Sequence, residues 1–139
     1  MFRVFFLFHR KLLSQLSRCA WKSICQYLEV SLSEKLQPAG IFSIATTGNF
    51  LNWNPHTHAL IPSGAFRADG SFVPVTLFQE NVLRQLFETA VFKLLVAEGL
   101  ITAELITKMR TWKHSEWIAK VTLHIPEQGA QTVRYYASS

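Results

Sequence analysis

Apolar residues recur at every fourth position from Leu12 through Leu16, Ala20, Ile24 and Leu28, with Leu13 and Trp21 beside them. That spacing predicts an amphipathic helix over residues 9–32, broken by Pro38-Ala39-Gly40. Ile41 to Thr46 is rich in β-formers and predicts a strand. Thr47-Gly48-Asn49 is turn material, and residues 56–62 predict a second strand. Pro55 has no amide hydrogen and so fits the first position of that strand. Arg67-Ala68-Asp69-Gly70 reads as a tight turn leading into a short strand over Ser71–Val75. Two apolar rows, Val82/Leu86/Ala90/Leu94 and Leu83/Phe87/Val91/Leu95, predict a helix over residues 79–97 that Gly99 ends. Thr102 is placed to cap a shorter helix. Trp117, Ala119, Val121, Leu123 and Ile125 alternate with Ile118, Lys120, Thr122 and His124, predicting a strand over residues 117–125. Gly129 opens a last segment expected to be helical. The order predicts an α+β fold, an antiparallel sheet with helices packed against it, in one domain spanning 1–139.

Nearly half of the 139 residues are apolar and 17% are charged, a globular composition. No apolar run approaches the roughly 20 residues of a membrane span. Val4-Phe5-Phe6-Leu7-Phe8 is followed by Arg10 and Lys11 rather than by a small-residue cleavage site, which argues against a signal peptide. Cys19 and Cys25 are six apart on a helix, not at a zinc-knuckle spacing, and read as reduced thiols of a cytoplasmic protein. The chain contains no Gly-rich phosphate loop and no Gly-x-Ser-x-Gly elbow, and no small-molecule substrate or membrane partner is expected. The net charge is +5, from 14 basic and 9 acidic residues. Its distribution says more than its size. Arg3, Arg10, Lys11, Arg18 and Lys22 all precede the first acidic residue, Glu29. Such an end suits a polyanion, and equally a solvated helix face.

The sharpest chemical feature is Asn54-Pro55-His56-Thr57-His58-Ala59-Leu60. Residues two apart on a strand share a face, roughly 7 Å apart along the chain. His56 and His58 can therefore converge on one metal ion, or simply be satisfied by hydrogen bonds on a half-buried strand. Arg134-Tyr135-Tyr136 is the second feature. A tyrosine can attack phosphorus when its phenolate is stabilised and the phosphate is clamped, although most tyrosines only pack. Trp112-Lys113-His114-Ser115 combines an aromatic ring with cations, as single-strand binders do. His114 and His124 are weaker candidates as ligands.

These pieces resemble, in order, one family: the rolling-circle insertion-sequence transposases of the HUH type. Phe5-Phe6-Leu7-Phe8-His9-Arg10-Lys11-Leu12-Leu13 resembles its "FFL-x-x-RKLL" opening, with Cys19-Ala20-Trp21 following on the same helix. Thr47 to Leu60 is similar to its "G-x-x-L-N-x-x-PH-x-HAL" core, Gly64 to Gly70 to its Gly/Asp hairpin, Trp112 to Ser115 to its "W-x-HS" element and Val133-Arg134-Tyr135 to its "A-R-Y". The resemblance implies an HUH endonuclease-like sheet and a single-strand DNA endonuclease and strand transferase. It implies Mg²⁺ or Mn²⁺ held by His56, His58 and a third donor, for which Gln131, Glu127 and His124 are candidates. Tyr135 would be the nucleophile, leaving a 5′-phosphotyrosine and a free 3′-hydroxyl. Arg10, Lys11, Arg18 and Lys113 are the expected phosphate contacts, with single-stranded DNA preferred. Thr57 stands where the family carries a bulky apolar residue. Gln131, four before Tyr135, points to the single-tyrosine branch. No cysteine-rich zinc-binding region precedes the core, and the chain stops four residues after Tyr135. The expectation is thus an incomplete catalytic core with weak cleavage, or a non-catalytic DNA-binding remnant of a transposase.

Overall fold

The computed structural model describes residues 2–48, 50, 52–75, 78–112, 117–123 and 130–137, with residues 122–123 and 130–137 described by backbone alone. The elements run α1 (Arg3–Phe8), α2 (Leu12–Leu32), β1 (Ile41–Thr47), β2 (Trp53–Pro62), β3 (Gly64–Phe66), β4 (Phe72–Pro74), α3 (Glu80–Ala97), α4 (Ala103–Arg110), β5 (Trp117–Leu123) and β6 (Ala130–Ala137). The fold is α+β. One antiparallel sheet has the order β1-β2-β6-β5, and β3 and β4 form a separate hairpin. Among the described residues, no helix is long and apolar enough to cross a membrane.

Three differences from the sequence reading have local causes. The helix expected over residues 9–32 begins at Leu12, and a short helix that the sequence reading did not expect, Arg3–Phe8, precedes it and ends at His9, which takes a non-helical conformation. β2 begins before Pro55 because its pairing with β1 is irregular there. Ala45 stands opposite His56 and Thr47 opposite Trp53, so two β2 residues, Asn54 and Pro55, face one on β1. A bulge is where a residue without an amide hydrogen is tolerated inside a strand. The last segment is a strand, not a helix. Thr132, Val133, Tyr135 and Tyr136 are β-branched or aromatic, and both edges of β6 are paired, to β2 and to β5.

The helices cover one face of the sheet. Along β2, Pro55, Thr57, Ala59 and Ile61 are buried, while the residues between them are half-buried or exposed. Trp21 of α2 meets Phe42 of β1 edge-on, with ring centroids 5.8 Å apart. Trp53 Nε1 donates to the Arg3 carbonyl at 3.0 Å, docking α1 on the start of β2. Trp117, 1% exposed, lies among Phe2, Phe87 and Phe92. The apolar residue expected at position 57 is replaced by a satisfied polar group. Thr57 is fully buried, donates to the Ser43 carbonyl at 3.0 Å and meets Ser17 Oγ of α2 at 3.1 Å. Two hydroxyls, one per layer, do together what an aliphatic side chain would do alone.

The β3–β4 hairpin is closed by the Arg67–Ser71 loop. Gly70 has φ +87°, and Asp69 Oδ1 accepts from the Ser71 hydroxyl at 2.7 Å and from the Ser71 amide at 2.9 Å. Those bonds hold the Asp69 carboxyl below its ordinary pKa. A Cβ on Gly64 would lie 2.0 Å from the Val73 carbonyl oxygen, so the hairpin's close approach requires glycine there.

Phe87 of α3 is fully buried and edge-on to Trp117, at 5.7 Å. Phe87→Ala is expected to cost about 3–5 kcal/mol, read as a lower urea midpoint at unchanged slope. A loss under about 1 kcal/mol would mean that this ring does not join α3 to the sheet.

Candidate functional site

His56 and His58 project from β2, an interior strand, on the sheet face that carries no helix. Their ring centroids are 4.8 Å apart with planes at 70°. At the bulge, His56 Nδ1 lies 2.7 Å from the Asn54 carbonyl oxygen. A carbonyl only accepts, so Nδ1–H donates and Nε2 becomes the basic nitrogen of the neutral ring. This second bond fixes the tautomer and orientation that a metal-ligating imidazole needs. Asn54 lies two residues before His56 on β2. Its Oδ1 is buried and has no hydrogen-bond partner among the described residues. A Cβ on Gly48 would lie 2.9 Å from the Asn54 Cβ, so Gly48 leaves the room that the asparagine occupies.

The strand register defines what else shares this face, because directly opposed residues of an antiparallel pair lie on one side. One cross-strand row is Ser43, His58, Arg134, Lys120; the next is Ala45, His56, Tyr136, Ile118. Lys120 is exposed. No Asp or Glu occupies any position of these rows or of the Ile41, Leu60, Thr132, Thr122 row beside them. Among the described residues, these rows therefore carry the Lys120 cation and no carboxylate that would repel a phosphodiester.

Where Ile41 and Leu60 end this face, an apolar pocket of about 810 Å³ opens toward the hairpin, with Phe66, Phe72 and Pro74 on its far side. Phe66 and Phe72 have ring centroids 5.2 Å apart. Ile41 is 72% and Phe72 42% exposed.

The other expected site residues are dispersed. Tyr135 stands opposite Thr57, in the row of the helix-covered face, while Tyr136 stands opposite His56. Gln131 pairs with Ile61, also on the covered side. His124, Glu127, Lys113 and His114 lie outside the described residues. Arg10 and Lys11 are exposed in the turn before α2. Arg18 lies on α2, in the helical layer, away from the histidines and beside Lys22 and Lys93. Among the described residues, no group of three or more His, Cys, Asp and Glu side chains is placed to hold a metal. Among the described residues, the site is thus the pair of imidazoles. Cys19 and Cys25 are free thiols. Burial pushes the Cys19 thiol up to about 11, which keeps it neutral.

Sequence reasoning did not single out Asn54, Lys120 or Lys93. Lys120 sits in the alternating run of β5, but only the pairing of β5 with β6 brings it to the His58 row. Lys93 lies between apolar rows of α3, and nothing in a single sequence says which helix faces it.

A sequence family described as putative transposase matches residues 40–114, which include the histidine strand, the hairpin, α3 and α4. No match to this chain is found among curated proteins or solved structures. The match takes in more than half of the chain, with His56 and His58 inside it, and the chain belongs to this transposase family.

Proposed function

We propose that the chain is the catalytic core of a metal-dependent, single-strand DNA endonuclease and strand transferase of the HUH type, acting in DNA transposition. The observation that carries this reading is the pair of imidazoles 4.8 Å apart on one face of β2, one of them oriented by a backbone carbonyl. Transposase membership makes DNA the partner.

His56 and His58 would hold a divalent ion, and the buried Asn54 Oδ1, which has no hydrogen-bond partner among the described residues, is the candidate for an additional oxygen donor. Two neutral imidazoles with an amide oxygen suit Mn²⁺ better than Mg²⁺, which prefers oxygen alone. When bound, the ion polarises the scissile phosphate as a Lewis acid. The chain's own residues do the rest. Lys120, exposed in the His58 row, attracts the phosphodiester to this face. A β6 tyrosine supplies the nucleophile: its phenolic oxygen bonds to phosphorus, the P–O3′ bond breaks, and the departing 3′-oxygen ends as a hydroxyl carrying the proton that the phenol gave up. The phosphotyrosine keeps the energy of the phosphodiester, so no nucleotide cofactor is required.

The single-strand preference has its support in the apolar pocket. Unstacked bases offer π faces to aromatic rings, and Phe66 and Phe72 line a pocket that reaches Ile41 and Leu60 at the end of the histidine strand's pairing with β1. Duplex bases are not available for such contacts.

The test is a covalent adduct. Incubated with end-labelled single-stranded DNA and Mn²⁺, the chain is expected to give a band that survives denaturing electrophoresis and disappears with EDTA. An adduct indifferent to EDTA, or binding with no adduct in any divalent metal, would remove the catalytic reading and leave a non-catalytic DNA-binding protein.

A further inference from the structure

The helical layer carries a second cationic feature that the histidine chemistry does not use. A groove of about 410 Å³ runs between α2 and α3. Gln15, Arg18, Lys22 and Gln26 form its α2 wall, at the three- and four-residue spacing of a single helix stripe. Thr89 and Lys93 stand on the α3 wall. Arg18, Lys22 and Lys93 are exposed, and no carboxylate lines the groove. The ion pairs formed among the described residues, Arg67 with Glu34 and Arg84 with Glu88, involve none of the three. Two helices therefore bring three like charges to one concave strip without compensation, an arrangement that a polyanion relieves.

What the groove lacks is equally informative. The rest of its lining is aliphatic or small, with no aromatic ring on which a base could stack. Such a surface contacts the sugar-phosphate backbone and reads no sequence. It also lies on the helical layer, across the sheet from His56 and His58. The nucleotides it holds cannot be those presented to the histidines.

We propose that the α2–α3 groove is a second DNA contact, which holds the phosphate backbone of duplex DNA flanking the single-stranded segment engaged at the sheet. This requires that the chain bind DNA, as its family does, and not that the histidines bind metal.

The experiment uses the full chain in EDTA, so that cleavage plays no part. Binding to a labelled duplex and to one of its single strands is followed by anisotropy across a salt series. For the triple variant Arg18→Gln, Lys22→Gln, Lys93→Gln, duplex affinity is expected to fall at least tenfold near 0.1 M salt. The log–log salt slope should become shallower by roughly 2.7, about 0.9 per lost contact. Single-strand affinity should change much less. A control with the same charge loss elsewhere, Lys35→Gln, Lys108→Gln, Arg110→Gln, should keep the parent's duplex slope. Lys22→Arg with Lys93→Arg should also retain it. The replaced side chains are exposed, and an unchanged thermal transition verifies the fold. Three results overturn the proposal: an unchanged duplex slope in the groove variant, equal losses on duplex and single strand, or an equal effect of the control. Failure of metal-dependent cleavage would leave it standing, because nothing in this assay uses metal.

Discussion

Replacing His56 with alanine is expected to reduce metal-dependent cleavage of single-stranded DNA by roughly a thousandfold or more, the several kcal/mol of transition-state stabilisation that a Lewis acid supplies. Affinity for the same strand should change little in EDTA. His58→Ala should behave alike, since the two rings are 4.8 Å apart and each provides one nitrogen. Asn54→Ala tests two roles at once. It keeps the carbonyl that orients His56 but removes the buried Oδ1, so Mn²⁺ affinity should fall while the His56 tautomer stays fixed. A Mn²⁺ titration followed by electron paramagnetic resonance reads the site without any turnover. Both histidines are only half-buried on the open face, so neither truncation empties the core. Parent-like Mn²⁺ affinity with parent-like cleavage in His56→Ala would show that the pair is a structural feature of β2. Parent-like affinity with lost cleavage would move the histidines from ligand to acid–base roles.

The sequence made much of this site legible, and the reason is periodicity. Two histidines two apart on a strand must share a face, whatever the rest of the fold does. The α2 and α3 rows were equally readable because a helix buries a stripe at fixed spacing, and Leu12, Leu16, Leu83 and Phe87 are indeed buried. Thr102 caps α4 as expected, accepting from the Leu105 amide at 3.3 Å. What could not be read was pairing. The β1-β2-β6-β5 order inserts the last strand beside the histidine strand, and that choice brings Arg134 and Lys120 into the His58 row. No local pattern encodes such a contact. The bulge at Asn54 and Pro55 was hidden for a related reason: a proline marks either a strand start or an irregularity, and only the partner strand decides which. Residues 130–137 depart from the expected helix because they carry the β-forming run Thr132-Val133-Arg134-Tyr135-Tyr136, which a glycine at 129 does not offset. Tertiary pairing on both edges then favoured the extended form.

The same pairing sharpens the choice of nucleophile into the most decisive comparison the chain offers. The resemblance to the "A-R-Y" element names Tyr135. The register names Tyr136, because it stands directly opposite His56 in the row of the open face, whereas Tyr135 stands opposite the fully buried Thr57. Tyr136 and Tyr135 occupy different cross-strand rows, opposite His56 and Thr57 respectively, while β6 keeps its pairing. Directly opposed residues lie about 5 Å apart at the Cα level, which sets Tyr136 beside His56 in the register. Near-attack geometry is worth orders of magnitude in rate, and a nucleophile on the wrong face has none of it. With the β6 register as found, Tyr136→Phe is expected to abolish the covalent adduct, and Tyr135→Phe to retain most of it at some cost in stability. The readout is the labelled protein–DNA band in Mn²⁺, with peptide mapping of the adduct to assign the modified residue. Loss of the band in Tyr135→Phe alone, with the label mapped to residue 135, would show that the DNA-bound chain does not hold β6 in this register and that the family's assignment is right. Retention of the band in both single variants and in the double variant would remove β6 from the chemistry altogether.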